Sequence, residues 1–235
     1  MVSKTCPLIV RDLYFYDFKS AFSRILQSVD FNFNGIDLSD KEERNISIGL
    51  AQRENENISS FLSNSIDNLL NLYIKENNIS DNDIIITQRD GFILKKMLDK
   101  TNLFMELDYR GFIDYLIITP DRKKFLYIKD DDVIVKGMSN RYDKLDIIYK
   151  KFSLLNFYDK KILFSQLQDI RDLVFNSKDK NFFIIEYDGK KYIQTFSGAF
   201  EITSDNIFQI EDIDKRKYYD HYFREFTQSI FIEFY

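Results

Sequence analysis

The stretch "LYFYDFKSAF" occupies residues 13–22. Its opening, dense in aromatic and aliphatic side chains, reads as a buried strand over 13–17. The strand ends on Asp17, and Lys19 and Ser20 follow before a new apolar periodicity begins. Burying an unpaired carboxylate is costly. The charge at the tip of this strand therefore asks for a chemical reason.

Beyond it, residues 21–29 read as a short helix, and 31–40 as a turn centred on Asn34 and Gly35. Asn57 opens the clearest helix. Ile58, Phe61, Leu62, Ile66, Leu69, Leu70, Tyr73 and Ile74 recur at three- and four-residue spacing. That helix stops near Asn77 and Asn78. "DIIIT", "QRDG" and "FILK" then spell strand, tight turn and returning strand. Strand-like runs follow at 103–108, 112–119, 125–129 and 132–136. Residues 143–157 and 159–176 read as helices, "FFIIEYDGKKYIQTF" as a second hairpin, and 214–230 as a helical end. There is no internal repeat and no low-complexity tract. The pattern predicts an α+β fold, with a strand-rich unit over 1–138 and a more helical mixed region over 139–235.

Composition narrows the chemistry. A chain of 235 residues with 44% hydrophobic content can bury a substantial core. Its 23 Phe and 15 Tyr beside abundant Ile, Asn and Lys reflect an AT-rich coding bias. Seven Gly and two Pro disfavour long flexible linkers. One cysteine, Cys6, and one histidine, His221, exclude a disulfide framework and a Cys/His zinc site. A metal would have to sit on carboxylates, which selects Mg²⁺ or Mn²⁺. No apolar stretch reaches the ~20 residues that span a bilayer, and the start lacks a signal-peptide core. The expectation is a cytoplasmic protein with no membrane partner. The net charge of −5 counts mildly against a nucleic-acid role, although an average can hide a basic patch.

Two aspartates share one feature. Asp17 ends an apolar strand and Asp90 sits in a hairpin turn, 73 positions apart (90 − 17), with the amphipathic helix between them. If strand and hairpin are neighbours in one sheet, the carboxylates converge. Close carboxylates repel unless a cation lies between them, an arrangement used for in-line phosphoryl or nucleotidyl transfer. Each is also explicable as an ordinary turn aspartate.

The surrounding residues add a resemblance. "DFKSAFSRI", from Asp17 to Ile25, resembles the first palm motif of the family B DNA polymerases, D-x-x-S-L-Y-P-S-I, at Asp17, Ser20, Phe22 and Ile25. Ala21 and Ser23 depart from it. "KEERNISIG" is similar to the second motif, K-x-x-x-N-S-x-Y-G, at Lys41, Asn45 and Gly49, with Ile46 and Ile48 departing. The family's third motif is Asp-Thr-Asp in a hairpin turn; "QRDG" matches its second Asp at Asp90, and Gln88 replaces the first. "DRKKFLYI" and "VIVKGM" resemble the Lys-Lys-x-Tyr and Lys-Gly segments, and "DIDKRKYYDHYFREF" the tyrosine-containing thumb helix.

The resemblance implies a palm-type antiparallel sheet backed by helices, with an appended mixed α/β thumb-like region. It implies DNA-directed DNA polymerase activity on primed DNA and dNTPs, in a phage or viral protein. Asp17 and Asp90, with the Phe18 carbonyl, would hold two Mg²⁺ (or Mn²⁺) ions, the cation satisfying Asp17 in place of a protein partner. Phe22 would lie under the incoming sugar, or is simply a core aromatic. Lys41 would contact nucleotide phosphates and Asn45 the neighbouring backbone, unless Lys41 is one solvated lysine in a charge run. Lys123, Lys124 and Lys136 would grip the duplex backbone, or are plain surface lysines.

Three departures shape the expectation. From Asp17 to Lys41 is 24 positions (41 − 17), too few for the family's fingers. Even as one helix they reach only about 36 Å. Gln88 removes one acidic group. The chain starts directly before the first motif, so the amino-terminal and exonuclease domains are expected to be absent. The chain is thus expected to be a compact polymerase or the palm-and-thumb subunit of a split one, completed by a second polypeptide beside Lys41. The alternative is a catalytically inactive, polymerase-derived DNA-binding or scaffold subunit of a replication complex. A third possibility is an α+β protein whose matches are accidental.

Overall fold

A computed structural model describes residues 6–29, 31, 40–88, 90–103, 105–138, 145–187, 189–203 and 206–234. The turn expected at Asn34 and Gly35 lies outside them. Nine strands form a six-stranded sheet of order β2-β3-β1-β4-β5-β6 and a three-stranded sheet of order β7-β8-β9. In chain order the first six are β1 (Ile9–Phe18), β2 (Ile84–Gln88), β3 (Gly91–Leu94), β4 (Leu107–Ile118), β5 (Phe125–Lys129) and β6 (Asp132–Lys136). The pairs β1·β3, β2·β3, β4·β5 and β5·β6 are antiparallel. The α+β class and a helix-backed antiparallel sheet agree with the pattern read from the sequence.

The chain divides into two compact units, one comprising 1–6 and 12–112 and the other 7–11 and 113–235. This differs from a split at residue 138, because Tyr115 and Ile117 of β4 and Leu126 and Ile128 of β5 share a core with the helices of the carboxy-terminal region. Both long strands carry a left-handed residue at the division, Asp12 with φ 56° and Gly111 with φ 131°.

In the first unit the core is built between the sheet and three helices, α1 (Ala21–Ser28), α2 (Lys41–Glu54) and α3 (Glu56–Glu76). The stripe on α3 buries Leu62, Ile66, Leu70 and Tyr73, one residue per turn on a single face. Asn55 caps this helix by accepting from the Asn57 N–H. Tyr16 and Phe18 of β1 point into the same core, and the Phe18 ring meets Tyr73 edge-on at 5.4 Å. Helix α2 was not evident from periodicity. It buries only Ile48, and its start is held by Asp40, whose carboxylate accepts from Glu42 and Glu43 N–H at 2.8 and 2.9 Å.

The second unit packs α4 (Asp146–Ser153), α5 (Lys160–Asn176), β7 (Ile184–Tyr187), β8 (Lys190–Thr195), β9 (Gly198–Ile202), α6 (Lys215–Tyr219) and α7 (Glu225–Phe234) around an aromatic core. A single π-helical turn, Asp220–Arg224, joins α6 to α7. In α7, Ser229 Oγ donates to the Ile118 carbonyl at 2.7 Å, tying the helix to the end of β4. Two elements differ from the strand-by-strand reading. The run expected at 103–108 contributes only Leu107 and Asp108 to one long β4, which continues through the left-handed Gly111 into the run at 112–119. The second hairpin gains a third strand, β9, paired with β8. Among the described residues no helix is long and apolar enough to cross a membrane.

Candidate functional site

Alternation along β1 buries Tyr16 and Phe18, so Asp17 between them faces the other side of the sheet. β1 lies against the β2–β3 hairpin with Asp17 opposite Gly91. The Phe18 N–H donates to the Asp90 carbonyl at 2.7 Å. The tip of the strand and the turn bearing Asp90 are therefore stitched together. Gly91 permits that approach. A Cβ there would fall 2.3 Å from the Tyr16 carbonyl oxygen and 3.2 Å from Asp17 Oδ1.

Beyond Phe18 the chain reverses through Ser20, whose φ of 54° is left-handed. The Arg24 N–H and Ser23 Oγ both return to the Ser20 carbonyl, at 3.1 and 3.0 Å. Phe22, one residue into α1, is half-buried against the core of this unit.

Asp17 faces a protein cation. Arg110 Nη2 lies 3.5 Å from Asp17 Oδ2 and 3.6 Å from Asp108 Oδ2. Next to this group, Glu106 receives Lys19 at 4.0 Å and Arg24 at 3.8 Å. Glu106, Asp108 and Arg110 were not identified from sequence. Their signal was the two-residue spacing in "ELDYRGF", which turns charged side chains to one face of a strand.

Two buried phenols hold the segment that leads into β4. Tyr16 accepts from the Leu98 N–H at 3.0 Å. Tyr73 accepts from the Leu103 N–H at 3.0 Å and donates to the Met105 carbonyl. Burial pushes both phenols above their ordinary pKa, and the backbone N–H bonds partly oppose it.

The remaining first-unit candidates stand apart. Lys41 and Asn45 are exposed, one turn apart on α2, and the described contacts do not join either to Asp17 or Asp90. In the second unit, Lys123, Lys124 and Lys136 come together at one end of the β5–β6 hairpin. Phe125 pairs with Lys136, and a Cβ at the left-handed Gly137 would meet the Lys123 carbonyl oxygen at 2.2 Å. Lys123 and Lys136 are exposed. Lys124 instead makes an ion pair with Glu225 at 2.8 Å. Beside that pair, burial and then Lys124 lower the pKa of His221, with Glu225 opposing.

The donor set does not fit a metal pair in this arrangement. Among the described residues no three or more His, Cys, Asp or Glu side chains gather as metal ligands. A guanidinium lies beside Asp17, and the turn carries Gln88 two positions before Asp90.

This is an α+β fold of polymerase-like type, with a charged strand tip stitched to a hairpin turn. Among solved structures it is similar to the family B DNA polymerase from the hyperthermophilic archaeon Pyrobaculum calidifontis, with a TM-score of 0.52 and 9% identity. The likeness covers 98% of this chain and 46% of that one, so the chain spans about half the polymerase's length. No family model and no curated protein matches the sequence.

Proposed function

We propose that this chain is the palm-and-thumb subunit of a family B-type DNA polymerase, holding primed DNA and supporting nucleotidyl transfer from dNTPs together with a second polypeptide. The observation that carries this reading is the stitching of Asp17 to the turn of Asp90, within a fold whose likeness to a DNA polymerase runs over 98% of the chain. A catalytic form would need Arg110 to leave Asp17, and Asp17, Asp90 and the Phe18 carbonyl would then be the groups for Mg²⁺ or Mn²⁺. Phe22 then lies by the sugar, and Lys41 and Asn45 by the nucleotide. Lys123 and Lys136 serve as point charges for phosphate. Lys124 joins them only by leaving Glu225.

A second polypeptide accords with the surface of α2. Ile46 and Leu50, 57% and 49% exposed, lie one turn apart on a helix that buries a single residue. They stand beside Asn45, where a fingers-like partner would complete the nucleotide site.

The second reading is a catalytically inactive DNA-binding or scaffold subunit of a phage or viral replication complex. The observation in its favour is Arg110 beside Asp17.

One experiment separates them. Primer–template binding and primer extension are measured with Mg²⁺ or Mn²⁺, with and without the polypeptide that co-purifies from the native host. The polymerase reading expects extension that Asp17→Asn and Asp90→Asn abolish without unfolding the chain. The scaffold reading expects salt-dependent DNA binding, weakened in Lys123→Ala and Lys136→Ala, with no extension. Failure to bind primed DNA under either condition removes both.

A further inference from the structure

Two carboxylates on neighbouring strands, Asp17 and Asp108, approach the same guanidinium nitrogen of Arg110 at 3.5 and 3.6 Å. The planar guanidinium brings one positive charge to both of them. Both contacts are longer than the ~2.7–2.9 Å of a charge-assisted hydrogen bond. Arg110 therefore holds both carboxylates loosely. All three side chains are partly open to water: Arg110 is 42% exposed and each aspartate 27%. Such a cation can be displaced, but any other cation arriving at Asp17 must contend with it.

We propose that Arg110 is the resident counter-cation of Asp17 and Asp108 and competes with divalent metal there. The isolated chain then binds metal at Asp17 only weakly, and removing the guanidinium charge strengthens binding. A dication placed beside Asp17 meets a like charge a few ångströms away, and that charge already offsets part of the attraction the carboxylates offer. The competition follows from the ion-pair geometry alone. It holds whether the chain transfers nucleotides or only binds DNA.

The test is Mn²⁺ binding, followed by the loss of its free-ion electron paramagnetic resonance signal, without DNA, nucleotide or partner. Arg110→Gln removes the charge while keeping a polar, shorter side chain, and is expected to bind Mn²⁺ on the order of tenfold to a hundredfold more tightly than the unaltered chain. Arg110→Lys keeps the charge and is expected to stay weak. Asp17→Asn added to Arg110→Gln is expected to cancel the gain, which ties it to this carboxylate. Arg110→Ala serves if the glutamine variant loses its circular dichroism spectrum. Equal affinity in the unaltered and charge-removed chains overturns the proposal. So does a gain that survives Asp17→Asn, or an equal gain in Arg110→Lys. Because neither nucleotide nor DNA is present, such a failure leaves the polymerase reading standing.

Discussion

The two units bury their tyrosines differently. In the first unit the hydroxyls bind backbone: Tyr16 holds Leu98, and Tyr73 bridges Leu103 and Met105. Both fasten the segment that turns into β4, the strand of Asp108 and Arg110. In the second unit the phenols are divided. Tyr149 and Tyr218 donate to the Tyr222 and Phe182 carbonyls at 3.2 and 2.7 Å, but the buried hydroxyls of Tyr115 and Tyr222 find no hydrogen-bond partner among the described residues. A phenol that fastens backbone positions a site. One that only packs carries an unpaired oxygen as a cost. In the first unit this fastening lies on the segment that leads to Asp108 and Arg110, whereas Tyr115 and Tyr222 only pack.

Alkaline titration is the largest expected effect. Burial pushes Tyr222 up to about 12. Burial raises Tyr115, aided by Asp114 against Arg11, and raises Tyr218, aided by Tyr222 and Tyr149. Each folded pKa lies above the unfolded value of about 10, so the folded state holds its protons longer. The stability these phenols contribute is complete below about pH 10 and is lost as pH rises through the folded values. Tyrosinate absorbance should therefore rise together with loss of circular dichroism in a cooperative step. Ionisation of the full complement of tyrosines near pH 10 with the fold intact would show that these phenols are not buried as described.

Tyr73→Phe comes next. It leaves the Leu103 N–H and the Met105 carbonyl without their partner, at about 1–3 kcal/mol in chemical denaturation. Hydrogen exchange at the Leu103 amide should quicken as well. Unchanged exchange there would mean that the phenol packs but does not fasten. Tyr16→Phe removes one bond, to Leu98, and should cost less, about 0.5–1.5 kcal/mol by the same measurement. A larger loss than for Tyr73→Phe would reverse the assigned order.

How much of the molecule was legible depends on the range of each interaction. The α3 stripe was readable because it is local, one side chain per turn from Leu62 to Tyr73. The strand of Asp17 and the hairpin of Asp90 were each readable for the same reason, but their pairing was expected only from the resemblance to the palm motifs. Helix α2 escaped because it buries only Ile48 and has almost no periodicity to detect. The long β4 read as two strands because left-handed Gly111 breaks the alternation. Arg110 was missed for a deeper reason. The charge alternation from Glu106 to Arg110 is visible in the sequence, but which carboxylate it meets depends on the strand alongside. That is a contact across more than ninety positions of chain, between Asp17 and Arg110. The expectation that a metal would satisfy Asp17 assumed that no protein cation lay beside it.

The smallest expected effect tests the second half of the comparison. Tyr115→Phe and Tyr222→Phe delete hydroxyls with no partner among the described residues. The Tyr115 ring meets Phe157 edge-on at 4.7 Å, and the Tyr222 ring lies 4.9 Å from Tyr218. A phenylalanine keeps both arrangements. The Tyr149 hydroxyl donates to the Tyr222 backbone carbonyl at 3.2 Å, a bond that does not involve the side chain removed. Each substitution gives up one oxygen of packing and removes the desolvation cost of an unpaired polar group. The balance should fall between no change and a gain of about 1 kcal/mol. The alkaline transition of each variant should also move to higher pH, because one ionisable phenol has gone from the core. Chemical denaturation of the two single variants and the double variant would measure this. A loss beyond about 1 kcal/mol in either single variant would mean that its hydroxyl is bonded after all, most simply to a buried water. The division between fastening and filling tyrosines would then fail for that residue.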